Sequence, residues 1–278
     1  MSKDYIIIPR IEVSGANAQS AWWLVSGPSP MAYLGLVRNI AIQSGIQNSY
    51  KINVAIIHHD IEYRGEFDKN HNFIPAQYKG ACLTNSNDKK SGAERSNDYV
   101  KGTLSLSMQP TALCNIKATL VIEGLSAITE TEIDKRLSCS RLAGGQIQSF
   151  GKIERLEYGA IFPRIGSGYF LKDQSDLLKG ISPDRMIASL MELLRPKQDA
   201  NGKWIKNEQR LAPMSLGYLP ITPPSYKASA RTDIPHAYAE PLVGLIEYLP
   251  KSKTQKNDLE HLFWGYKQVG KALVVANT

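Results

Sequence analysis

Residues 5 to 63 read as an apolar strand, a capped helix and a second apolar strand, and this order constrains the fold more than any other feature of the chain. In the first segment, "YIIIPRIEV" (5–13), Ile6, Ile8 and Ile11 are apolar and β-branched. Pro9 has no N–H for a ladder, so this strand lies at an edge, bulges, or is unpaired on that side. The polar loop "SGANAQS" then leads to "GPSPMAYLGLVRNI" (27–40). Ser29 suits a helix N-cap and Pro30 the first helical position. Met31, Leu34, Val37 and Ile40 recur at helical spacing, and Gly45 is placed to end the helix. "INVAIIHHDIEY" (52–63) is apolar enough for a central strand, so the three elements predict a right-handed crossover.

Residues 64–98 read as an insertion, because "NSNDKKSGAERSND" (85–98) lacks large apolar residues and suits a loop or hairpin tip. "YVKGTLSLSM" (99–108) alternates, and "CNIKATLVIEG" (114–124) is strand-like. Thr129 and Glu132 form a capping-box pattern before a short helix, and "RLAGGQIQSF" (141–150) turns through paired glycines into another strand. Residues 1–158 therefore predict an α+β domain with a ferredoxin-like βαββαβ core, the arrangement of RNA-recognition modules. Residues 159–278 predict a mixed C-terminal extension packed on that core. It carries helical segments at about 183–195 and 257–268, the second with Leu259, Leu262, Phe263 and Tyr266 on one face. "PLVGLIEYL" (241–249) fits a strand or a helix, and "GSG" (166–168) reads as a loop.

The chain has 278 residues and a net charge of +7, which favours a polyanionic partner. Three widely spaced cysteines, Cys82, Cys114 and Cys139, argue against disulfide frameworks and zinc ribbons and fit a reducing compartment. The N-terminus does not read as a signal peptide and no run spans a membrane, so the expected location is cytoplasmic.

Enzymatic motifs are missing: the chain has no HExxH, GxSxG, Walker or GxGxxG pattern, and no cofactor or metal is expected. His58 and His59 are adjacent on a strand and face opposite ways, so one packs inside and the other is solvated or touches RNA. Arg10, Arg38, Arg64, Arg141, Arg155 and Arg164 flank strand ends and glycine turns, where they suit phosphates. Gly144 and Gly145 permit either close approach of a ligand or a tight turn. Trp22 and Trp23 suit base stacking, or packing in the core or at a partner interface.

"IIIPRIEVSGANAQS", "GPSPMAYLGLVRNI", "AIIHHDIEY", "RLAGGQI", "APMSLGYLPITPP", "ARTDIPHAYAEPLVGLIEYL" and "LEHLFWGY" occur in an order that resembles the Cas-five (Csy-two) subunits of type I-F CRISPR surveillance complexes. The resemblance implies a non-catalytic subunit that grips the 5′ handle of the CRISPR RNA. It also implies docking of the large subunit at the tail of the complex, contact with a Cas-seven-type backbone subunit, and only indirect contact with target DNA. Such complexes serve defence against foreign DNA or RNA-guided transposition. The positions implied to bind RNA are Arg10, Asn17, Gln19, Ser29, Arg38, His59, Arg141, Gly144, Gly145, Gln146, Tyr218 and Arg231. Family members often have a glycine after Pro-Ser-Pro, where this chain has Met31, and the chain is not enlarged, so a separate large subunit is expected. The competing reading is a metal-independent repeat-RNA endonuclease of the same fold, with His59 as general base.

Overall fold

The computed structural model describes residues 4–21, 23–81, 108–205, 209–226 and 234–278. Trp22, Cys82, Arg231 and most of the expected strand at 99–108 lie outside the described residues.

Helix α1 (Pro30–Gln43) starts as its sequence dictates. The Ser29 hydroxyl oxygen accepts from the Met31 N–H at 3.2 Å, Pro30 sits at the first position, and Gly45 follows the helix at φ +81°. Tyr33, Leu34, Val37, Ile40 and Ala41 are buried along one side, as a period of 3.6 requires. They cover a sheet in which β2 (Asn53–Tyr63), β6 (Met108–Glu123), β1 (Asp4–Asn17) and β8 (Gly145–Ser149) lie in that order, each antiparallel to its neighbour. Helix α2 (Glu130–Ser138) is capped by Thr129, whose hydroxyl oxygen accepts from the Glu132 N–H, and it buries Ile133 and Leu137 in the same core cluster as α1. The short strands β3 (Gly65–Phe67), β4 (Phe73–Pro75) and β5 (Gln77–Ala81) precede β6, and β7 (Arg141–Leu142) forms a hairpin with β8.

The second half extends this sheet. After β9 (Glu154–Glu157) and α3 (Tyr158–Arg164) come β10 (Tyr169–Asp173), α4 (Met186–Leu194), the hairpin β11 (Lys197–Gln198) and β12 (Trp204–Ile205), β13 (Leu211–Pro220), β14 (Ala239–Pro250), β15 (Phe263–Val269) and β16 (Ala272–Asn277). Pairings β2–β15–β16–β13–β14–β10 return to β2, so six strands close a ring. Trp264 is fully buried, and its indole N–H donates to the Leu171 carbonyl at 2.8 Å, bridging two strands that do not pair.

The predicted helix over 257–268 is a correction. Residues Lys256–Leu262 form a 3-10 turn and Phe263–Val269 form β15. Leu259, Leu262 and Phe263 are buried as the spacing demands, but six residue pairs with β16 outweigh continuation of a helix. The segment at 241–249 is resolved as strand β14.

Two interactions tie α1 to the strands. The Ser29 hydroxyl donates to the Ser215 carbonyl of β13 at 2.5 Å, and the Tyr33 hydroxyl and His58 Nε2 share a hydrogen bond of 2.6 Å. His58 is 2% exposed, and burial, reinforced by His59, pushes its pKa down to about 3. The Ser29→Ala variant is expected to lose about 1–2 kcal/mol in urea unfolding, because the cap and the strand tie go together. In the unfolded chain His58 takes up a proton that the folded chain refuses. Stability therefore falls as pH drops from about 6.5 towards 3, by about 2 kcal/mol between pH 7.5 and 5. Unfolding of His58→Gln at the two pH values should show that much less dependence; an unchanged dependence would refute the assignment.

Candidate functional site

Side chains alternate across β6, and this separates two surfaces. Ile116, Ala118, Leu120 and Ile122 face the helices, while Lys117, Thr119 and Val121 face away. On that second face Val121 is roofed, with Tyr5, Ile7, Ala55 and Ile57, by Ile161, Ile165, Phe170, Leu259, Leu262 and Phe263. Towards the other end of β6 the sheet is polar. Glu12, Ser14, Asp60, Glu62, Asn115 and Lys117 border a depression of about 300 Å³ there. Lys117 pairs with Glu12 at 2.5 Å and holds that carboxyl below the usual range.

Both neighbours of β6 bulge where the roof ends. On β1, Ile8 pairs with Leu120 and Ile11 with Ala118, leaving Pro9 and Arg10 opposite Thr119. On β2, His58 pairs with Ala118 and Asp60 with Lys117, leaving His59 unmatched. Pro9 has no donor to place there, and Arg10 turns into the left-handed region at φ +50°. Its N–H donates to the Thr119 hydroxyl oxygen at 3.0 Å.

The remaining bonds follow from donor rules. The Ser167 carbonyl can only accept, so His59 Nδ1 carries the proton of their 2.6 Å bond. Burial, followed by the charges of Arg10 and Lys117, holds the His59 pKa below the usual value against the bond to Ser167, so the ring is neutral. Its Nε2 is then a lone pair, and the Thr119 hydroxyl donates to it at 2.7 Å. Ser167 reaches this position because Gly168, next to it, lacks a side chain. A Cβ on Gly168 would lie 2.8 Å from the His58 carbonyl oxygen and 2.9 Å from His59 Nδ1. A Cβ on Gly166 would meet Arg10 Nη2 at 3.6 Å, which places the guanidinium beside this loop.

The Arg10 side chain is exposed and, among the described residues, forms no ion pair. Beside it opens a cleft of about 650 Å³ lined by His59, Phe162, Ser167, Gly168, Tyr169 and Lys251. Lys251 Nζ donates to the Ile165 carbonyl and lies 5.0 Å from the centre of the Phe162 ring. Fixed backbone, a neutral histidine and the unpaired Arg10 guanidinium, with the Lys251 charge nearby, suit this place to an anion such as a phosphate.

The other expected residues are dispersed. Asn17 is exposed at the end of β1, and its side-chain oxygen accepts from the Gln19 N–H at 2.9 Å; Gln19 itself is buried. Ser29 is also buried with both hydroxyl functions engaged, which corrects the reading of its hydroxyl as a phosphate ligand. Arg38 is half-buried, its guanidinium 3.7 Å over the Tyr50 ring and its Nε donating to Ser49. Arg64 is similarly occupied by Ser14 and Asn115, and Arg155 by Glu130 and the Ile128 carbonyl. Ala143 at φ +51° and Gly144 at φ +78° form the two-residue turn of the β7–β8 hairpin. The close approach at Gly145 is to the chain itself, since a Cβ would sit 2.6 Å from the Ala16 nitrogen. Arg141 and Gln146 are exposed partners on that hairpin, with Gln146 also opposite Ser14 of β1, at the sheet edge. Tyr218 is exposed on β13, where it pairs with Pro241 and Leu273. Trp23 is half exposed.

The structure thus joins Arg10 to His59 and adds Thr119, Ser167 and Lys251, which sequence reasoning missed. Only Pro9 and the Gly-Ser-Gly triplet signalled them.

Among the described residues no helix is long and apolar enough to cross a membrane, and no three His, Cys, Asp or Glu residues are grouped to hold a metal. No curated protein matches the sequence. Among solved structures, a CRISPR protein from Archaeoglobus fulgidus is 12% identical, with 99% of this chain and 100% of that chain covered and a TM-score of 0.31. At that score the two folds superpose too poorly for either to inform the other. The model of the family described as CRISPR-associated protein (Cas_Csy2) matches residues 6–273, so nearly the whole chain is accounted for by one family. The chain belongs to the Cas_Csy2 family of CRISPR-associated proteins, subunits of Cascade-type complexes.

Proposed function

We propose that this subunit binds the 5′ handle of the CRISPR RNA without cleaving it and docks the large subunit at the tail of the complex, beside a Cas-seven-type backbone subunit. Target DNA is then met through guide pairing. The observation that carries the reading is the exposed Arg10 on its clamped bulge, next to the cleft that holds Lys251. The order β2–β6–β1–β8 with both helices on one face supports a ferredoxin-like core, whose opposite face is where RNA-recognition modules hold RNA. For docking, α4 offers Ile187 and Met191, and β12 offers Trp204, all largely exposed apolar side chains. The non-catalytic part of the proposal is supported by His59, both of whose ring nitrogens are already engaged.

Co-expression with the neighbouring subunits and repeat RNA should yield a complex carrying RNA of uniform 5′ end. A complex that assembles equally well on RNA lacking the handle overturns the reading. Arg10→Ala should weaken RNA retention about tenfold and lower the salt dependence of binding by about one charge. Repeat RNA incubated with the purified protein in EDTA should stay intact; cleavage that is lost in His59→Ala would instead favour the endonuclease.

A further inference from the structure

A second cavity, of about 280 Å³, shares His59 and Tyr169 with the cleft beside Arg10. It opens where the ring of strands parts. β10 pairs with β2 only through Ile57 and His58, so among the described residues the edge of β2 away from β6 has no strand partner from His59 onward. His58, His59, Asp60, Tyr169, Arg210 and Tyr248 line it. Its chemistry is specific. Tyr169 and Tyr248 contribute aromatic rings to the lining, and the exposed Arg210 guanidinium lies 4.7 Å over the Tyr169 ring. The Asp60 carboxylate offers an acceptor at the margin. His58, whose ring lies 5.9 Å from that of Tyr248, has a buried Nδ1 with no hydrogen-bond partner among the described residues. A buried polar atom of this kind costs stability unless something is gained from it.

We propose that this cavity takes one unstacked base of the bound RNA, stacked against Tyr169 and Tyr248. Flat aromatic walls, a guanidinium plane and a few hydrogen-bonding groups are what a nucleobase recognises. The volume lies just below the usual range for small-molecule sites, about 300–1,000 Å³, and so suits one ring system better than a longer segment. His59 is a wall of this cavity and of the cleft beside Arg10. A base held here and a phosphate held at Arg10 would therefore belong to one stretch of backbone. The proposal rests on the RNA-binding reading above and adds where, and through which chemistry, a base is held.

The test is ultraviolet crosslinking of the co-expressed complex at its native RNA, followed by nuclease digestion and mass spectrometry of the peptides. The expected result is a nucleotide adduct on the peptide carrying Tyr169 or Tyr248, arising from one RNA position. Arg210→Gln, at an exposed position outside the cleft beside Arg10, should lower that adduct about tenfold while the RNA still co-purifies. Tyr169→Leu should lower it as well, with weaker RNA retention, because Tyr169 also lines that cleft. RNA retained with adducts only on other peptides, or an adduct indifferent to both variants, overturns the pocket and leaves handle binding standing. A complex that carries no RNA overturns handle binding, and the pocket falls with it.

Discussion

Strand β2 bonds along both edges at once, and the rest of the structure depends on it. One edge follows β6 for nearly its whole length, while the other is divided between β15 and β10. This makes β2 common to the helix-covered sheet and to the six-stranded ring. His58 sits at the point where the second edge runs out, held from the helix side by Tyr33. Its burial as a neutral ring links the acid sensitivity of the fold to the place where the strands separate.

The two bulges flanking Thr119 turn an ordinary sheet into a site. A non-glycine residue in the left-handed region costs on the order of 1 kcal/mol, and Arg10 keeps that conformation because its N–H has a fixed acceptor. The acceptor is fixed in turn because the Thr119 hydroxyl must donate to His59, whose other nitrogen is held by Ser167. Such a chain leaves no freely rotating group beneath the Arg10 side chain. With its backbone anchored in this way, Arg10 loses less entropy on meeting a phosphate than the same side chain on a mobile loop would.

Much of the local structure is legible in the sequence. Ser29, Pro30 and Gly45 mark the ends of α1, Thr129 caps α2, and over residues 1–158 the alternation of strands with helices appears in the sequence in the order observed. The site was legible only in pieces. Arg10 and His59 were both singled out, yet nothing in their spacing says that they meet across β6, because a bulge depends on pairing register rather than on local preference. The Gly-Ser-Gly triplet read as a loop for the same reason. What Gly168 admits is a histidine more than a hundred residues away in sequence. Residues 257–268 misled because burial of Leu259, Leu262 and Phe263 at helical spacing is met equally well by a 3-10 turn running into a strand.

Sequence alone therefore determined the caps, the apolar faces, the positive charge and the Pro9 break in β1, since each depends on residues within a few positions of one another. Tertiary structure alone decided that the ring closes on β2, that the Ser29 hydroxyl faces Ser215 rather than an open phosphate site, and that Arg10, His59, Thr119 and Ser167 form one linked group. Those outcomes rest on hydrogen bonds between distant segments, whose register is set only when the strands pair.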